Sequence, residues 1–79
     1  MGRATVAEAL CEVIRERRLA AGLSQEALAH KAGVHRTYVG LLERGLRNPT
    51  VEVALHLSEA LGVSLSRLIR EAERRANKG

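Results

Sequence analysis

Phenylalanine and tryptophan are absent from the 79 residues, and tyrosine occurs once, at Tyr38. An aromatic core is therefore excluded. The interior has to be built from Leu, Val, Ile and Ala, which together with Glu and Arg favour helix. Cys11 is the single cysteine, so no internal disulfide can form. That fits a reducing compartment, and on a helix the residue reads as a small apolar filler. No apolar run reaches the roughly 18 residues of a membrane span, and the N-terminus has no signal-peptide pattern. The expected location is the cytoplasm. Strand-like alternation, internal repeats and low-complexity tracts are missing as well.

What is present is apolar and basic. Apolar residues make up 46% and charged residues 28%, a globular balance. A chain this short buries only about 60–65% of its unfolded surface, so it needs well-packed helices or a second copy of itself. The net charge is +4 and the sequence pI is near 10.2. Such a balance points to an anionic partner, nucleic acid before membrane surface. Between Ala27 and Val51 the basic residues are Lys31, Arg36, Arg44 and Arg47, against Glu43 as the one acid. The segment before them mixes Glu8, Glu12 and Glu16 with Arg15, Arg17 and Arg18.

Capping signals divide the chain into five helices. Residues 1–4 read as a frayed end. Thr5 and Glu8 form an S/T-x-x-E box that starts a first helix at Val6, with Leu10, Val13 and Ile14 on one face and Ala21-Gly22 closing it. Ser24 caps a second helix from Gln25 to Ala32, with Glu26 near its positive dipole end. Gly33 makes a tight turn and Val34 plugs the corner. A third helix runs from Arg36 to about Arg44, with Val39 and Leu42 inward, although His35 is a weak capping residue. Thr50 caps a fourth helix, Val51 to Leu61, whose inner face reads Val51, Ala54, Leu57, Ser58 and Leu61. Ser64 caps a fifth, Leu65 to about Ala76, with Leu65, Leu68, Ile69 and Ala72 on one stripe. Arg74, Arg75 and Lys78 suit its C-terminal end. The fold class is all-α, a compact five-helix bundle in a single domain over residues 1–79.

Residues 24–44 carry the functional signal. Two short helices joined by a Gly-containing turn form a helix-turn-helix unit, in which close crossing demands a small residue, a positive-φ turn and aliphatic corner positions. Ala29, Gly33, Val34, Val39 and Leu42, with Leu28 and Ala32, meet each demand.

The run GLSQEALAHKAGVHRTYVGLLERGLRNPT, followed by LSEALGVSLSRLI, resembles the lambda-repressor-like helix-turn-helix domains of the Cro/C1 or Xre type. The resemblance spans roughly Leu10 to Ile69. The run His35-Arg36-Thr37-Tyr38 also looks like the controller proteins of restriction-modification systems. It implies a homodimer that binds double-stranded DNA, with the third helix in the major groove. By position, Arg36, Thr37, Tyr38 and Leu41 would meet bases, and Arg36 suits the two acceptors of a guanine edge. Ser24 and Gln25 at the second helix, and Arg44, Arg47 and Asn48 after the third, would meet phosphates. Arg18 and Glu43 match a pair that links the first and third helices in relatives, a structural link that orients the third, with modest net stabilisation if exposed. Leu41 stands where a polar residue is common; a thymine methyl or plain surface exposure would each suit it. Tyr38 reads either as a DNA contact or as a partial core filler, and Arg44 and Arg47 either as a phosphate clamp or as a solvated cluster.

Leu55 falls off the inner face of the fourth helix, and on the fifth Leu65 and Ile69 cannot both be fully covered by so small a core. They are scattered surface apolars or, in the reading that suits an operator dimer, a two-fold interface within residues 50–76. His30, His35 and His56 could suggest a metal, but the i to i+5 spacing of the first two does not put both on one helix face and a turn separates them, so no metal is expected. Ser24 and Ser58 lack a nucleophile elbow, so no enzyme activity and no cofactor are expected. A different class of function stays open: an antitoxin-type module that grips a partner protein as well as DNA. No second domain for an effector is expected.

Overall fold

Thr5 sets the first helix. Its Oγ1 accepts the Glu8 N–H at 3.1 Å, and Glu8 Oε1 accepts the Thr5 N–H at 2.8 Å. The computed structural model describes residues 5–78, which form α1 (Val6–Ala20), α2 (Gln25–Ala32), α3 (Arg36–Glu43), α4 (Val51–Leu61) and α5 (Leu65–Lys78). The expected frayed end at residues 1–4 and the side chain of Lys78 lie outside the described residues. Hydroxyl caps open three more helices. Ser24 Oγ accepts the Ala27 N–H at 3.0 Å, Thr50 Oγ1 the Val53 N–H at 3.1 Å, and Ser64 Oγ the Arg67 N–H at 3.2 Å. Each satisfies a donor that the helix itself leaves unpaired.

His35 caps α3 better than its residue type suggests. Its Nδ1 accepts the Thr37 N–H at 3.1 Å, which puts the ring proton on Nε2. We expect His35→Ala to cost about 1 kcal/mol, seen as a lower urea midpoint at unchanged slope.

Gly33 ends α2 at φ 74°, in the left-handed region. The Val34 N–H then reaches back to the Ala29 carbonyl at 3.0 Å, so the chain reverses within one residue. Val34 follows as an aliphatic that packs against the core. Gly22, Gly45 and Gly62 turn the chain at the ends of α1, α3 and α4 with the same backbone sign.

The core is mainly aliphatic, with Ser58 of α4 also buried in it. Val13 and Ile14 of α1, Leu28 of α2, Val39 and Leu42 of α3, Leu57 of α4 and Leu68 of α5 are all at most 1% exposed. Cys11 is buried among them and its thiol lies 3.8 Å from the Arg47 carbonyl. Burial, with Glu12 and Glu8 nearby, pushes that thiol above its ordinary pKa, which suits the filler reading. The helix α5 lies along α1 and is tied to it by Arg17 to Glu71 and by Arg75 Nη2 to Glu16 Oε1 at 2.9 Å.

Three boundaries or faces differ from expectation. Val51 is 77% exposed rather than inward. It is the first residue of α4, and helical side chains lean toward the N-terminus, so this one leans past the end of the helix. The third helix closes at Glu43, with Arg44 as its C-cap, and the fifth runs two residues past Ala76 to Lys78.

Candidate nucleic-acid interface

Glu43, the last residue of α3, is where three elements meet. Arg18 of α1 donates from Nε to Glu43 Oε2 at 2.6 Å and from Nη2 to Oε1 at 2.9 Å. Its Nη1 donates to the Leu23 carbonyl at 2.7 Å, just ahead of α2. Gln25 of α2 adds its Nε2 to Glu43 Oε1 at 2.9 Å. The Arg18 and Glu43 side chains are 9% and 3% exposed. The sequence allowed for an exposed pair of small worth; the structure has a buried two-pronged one, whose loss weighs far more. Burial alone would raise the Glu43 carboxyl. The bonds from Arg18 and Gln25, with the charges of Arg18 and Arg15, outweigh it and hold the group below its ordinary value.

This knot orients α3. Val39 and Leu42 point into the core, and Ala29 of α2 is 2% exposed, which allows the two helices to approach closely. The opposite side of the first turn is open: Arg36 and Thr37 are exposed. They line one shallow cleft with Ser24, Gln25, Glu26 and Arg18, so the start of α2 and the start of α3 face a common space. Gln25 has a divided role. Its amide donates one N–H to Glu43, and its backbone N–H, at the first position of α2, is one of the donors the helix itself leaves unpaired.

Tyr38 and Leu41 are half-buried. Tyr38 packs against the core and its hydroxyl is 3.5 Å from the Asn48 carbonyl, while the Arg47 guanidinium sits 5.9 Å from its ring centroid. That is the outer limit of a cation–π contact. Tyr38 therefore links α3 to the turn that carries Arg47 and Asn48, both exposed. Arg44 is exposed and lines a different cleft, with Cys11, Glu8, Glu12, Glu43 and Gly45. Away from this face, Leu55 is 38% exposed, and Leu65 and Ile69 are half-buried against the core. No group of three or more His, Cys, Asp or Glu suited to a metal occurs among the described residues. No described helix is long and apolar enough to cross a membrane.

Two residues on this face escaped sequence reading. Glu26 was visible only as a dipole partner, because its nearness to Arg36 crosses a turn and follows no helical period. Gly40 sits inside α3 without a positive φ. A Cβ there would find only Gln25 Oε1, at 3.5 Å, an ordinary contact. Since alanine is about 1 kcal/mol better than glycine in a helix interior, Gly40→Ala should raise Tm by about 4–8 °C in a thermal melt.

A short helix held by its neighbours through a tight glycine turn, with a polar and basic first turn left open, defines a helix-turn-helix DNA-binding domain. The chain belongs to the helix-turn-helix family of Cro/C1-type transcription regulators: the family's model, described as helix-turn-helix, matches residues 14–68. Among curated relatives, control protein C.SmaI of Serratia marcescens is 42% identical over 64 residues, covering 81% of this chain and 76% of that one. Among solved structures, the restriction-modification controller protein C.AhdI from Aeromonas hydrophila superimposes with a TM-score of 0.73 at 41% identity, over 80% of this chain and 94% of the other. The biofilm master regulator SinR, solved in complex with DNA, matches with a TM-score of 0.72 at 34% identity, over 76% and 97%. The protein is a DNA-binding transcription regulator of this family.

Proposed function

We propose that two copies of this chain bind a pseudo-palindromic operator in the cytoplasm, each inserting α3 into the major groove. The observation that carries the reading is the division of α3 into a buried side, Val39 and Leu42, and an open first turn, Arg36 and Thr37. Arg36 bonds the acceptors of a guanine edge, and Thr37 bonds a base or touches a thymine methyl. Leu41 is apolar and serves only a methyl or sugar contact, with Tyr38 at the edge of the same surface. Ser24, the Gln25 backbone N–H, Arg44, Arg47 and Asn48 hold the flanking phosphates and set the register. Similarity to control proteins C.SmaI and C.AhdI favours a place in the control of a restriction-modification system.

A footprint on DNA upstream of its own gene tests this. The expected result is two protected half-sites about 34 Å apart, with log affinity falling against log salt by about 0.9 for every neutralised phosphate. A single protected site, or binding indifferent to salt, overturns it.

The second copy docks through Leu55, Leu65 and Ile69. Leu55 is the most exposed of the three, so Leu55→Glu should leave the monomer folded. Sedimentation equilibrium is expected to show a dimer for the wild type and a monomer for the variant, with helical circular dichroism retained. A variant that stays dimeric moves the interface elsewhere.

A further inference from the structure

An acid stands beside Arg36 on the face that would meet DNA. Glu26, in the first turn of α2, places Oε2 at 3.9 Å from Arg36 Nη1, across the turn that joins the two helices. The side chains are 74% and 68% exposed, so the pair adds little to folding. Glu26 borders two clefts, one with Ser24, Gln25 and Thr37 and the other with His30 and His35, and Arg36 borders both with it. A carboxylate here would face the DNA phosphates, so it opposes binding unless Arg36 neutralises it.

We propose that Glu26 is a specificity determinant: it ties Arg36 to the groove floor and keeps the guanidinium from acting as a phosphate clamp. The inference rests on Arg36 reading a base. A guanidinium has five N–H donors and a guanine edge takes two, which leaves an edge of Arg36 for Glu26 while it reads. On operator DNA the pair is completed by the base, in a space where charges interact more strongly than in bulk water. On arbitrary DNA the pair carries no net charge and releases no counterion, so Arg36 offsets Glu26 and adds no phosphate contact of its own. Glu26 is in this sense a positioning residue. It raises the ratio of specific to non-specific binding while lowering non-specific affinity.

The test is anisotropy titration of wild type, Glu26→Gln, Arg36→Ala and the double variant, on operator and scrambled duplexes across a salt series, with thermal melts. Glu26→Gln is expected to bind scrambled DNA more tightly, with a salt slope steeper by about 0.9 per subunit. The specificity ratio is expected to fall about tenfold while the melting temperature holds, as one lost base-reading interaction implies. The double variant should show coupling on both duplexes and of opposite sign: favourable on operator, where Glu26 orients Arg36, and unfavourable on scrambled DNA, where Glu26 withholds Arg36 from the phosphates. If Arg36→Ala collapses the ratio but Glu26→Gln moves neither ratio nor slope, the inference is wrong and the reading of Arg36 stands. If Arg36→Ala leaves the ratio untouched, the underlying reading falls first. A ratio that falls in Glu26→Gln together with a lowered melting temperature assigns the residue to folding alone and overturns the proposal.

Discussion

Replacing Arg18 with alanine should lower the stability of this protein by about 3–5 kcal/mol, because it strands a carboxylate inside the fold. The Glu43 side chain is 3% exposed and takes both its strongest bonds from Arg18. A domain of this size has only roughly 4–12 kcal/mol in total, so the variant would give up from about a quarter of that stability to nearly all of it. Arg15 lies 3.8 Å from Glu43 Oε1 and Gln25 stays bonded to it, which favours the lower end of the range. Urea denaturation measures the loss. A cost near that of an exposed pair, under 1 kcal/mol, would contradict the buried geometry. Removing both charges, as Arg18→Met with Glu43→Leu, should recover most of the stability, since a well-packed apolar pair does not carry the cost of desolvating ions. That double variant should still lose operator affinity, because α3 would no longer be tethered to α1 and α2.

The same pair gives the fold its acid sensitivity. Burial raises the Glu43 carboxyl, but the bonds from Arg18 and Gln25 and the nearby Arg charges leave its folded value lowered from the ordinary 4.5. A depressed carboxylate stabilises the folded state fully above its unfolded value and loses that contribution as pH falls through the folded one. Glu16 acts in the same direction through its bond from Arg75. Stability should therefore be flat near neutrality and decline below pH 4.5, and Glu43→Gln should flatten the acid limb.

Arg36→Ala should leave folding almost unchanged and relax sequence preference at one base pair of each half-site by about 1–3 kcal/mol, roughly 5- to 150-fold. The side chain is 68% exposed and its one ion pair among the described residues is the loose contact with Glu26, so no packing in the interior depends on it. A loss confined to one position separates a base reader from a phosphate contact, whose removal weakens all sequences alike. Competition of the operator against each single-base variant reads the difference. A variant that loses affinity uniformly across these duplexes would place Arg36 on the backbone.

Local chemistry made much of the fold legible. Thr5, Ser24, Thr50 and Ser64 each cap the helix expected of them, since a hydroxyl and the N–H it accepts lie within a few residues of each other. Gly33 turns the chain where the spacing requires, because only its own φ is involved. Val51 misled, as helical periodicity is blind to where a helix begins. His35 misled in the other direction: its residue type is a poor capper, yet the ring nitrogen reaches the Thr37 N–H.

The amino-acid sequence by itself determined five amphipathic helices, the turn between the second and third, and a basic recognition segment, all set by interactions between residues close in the chain. Only the tertiary structure decided how deeply Arg18 and Glu43 are buried, that Gln25 spends its amide on Glu43, and that Glu26 stands beside Arg36. These are properties of pairs distant in sequence or separated by a turn. Their energies depend on how much water the packed helices exclude around them, which no local pattern records.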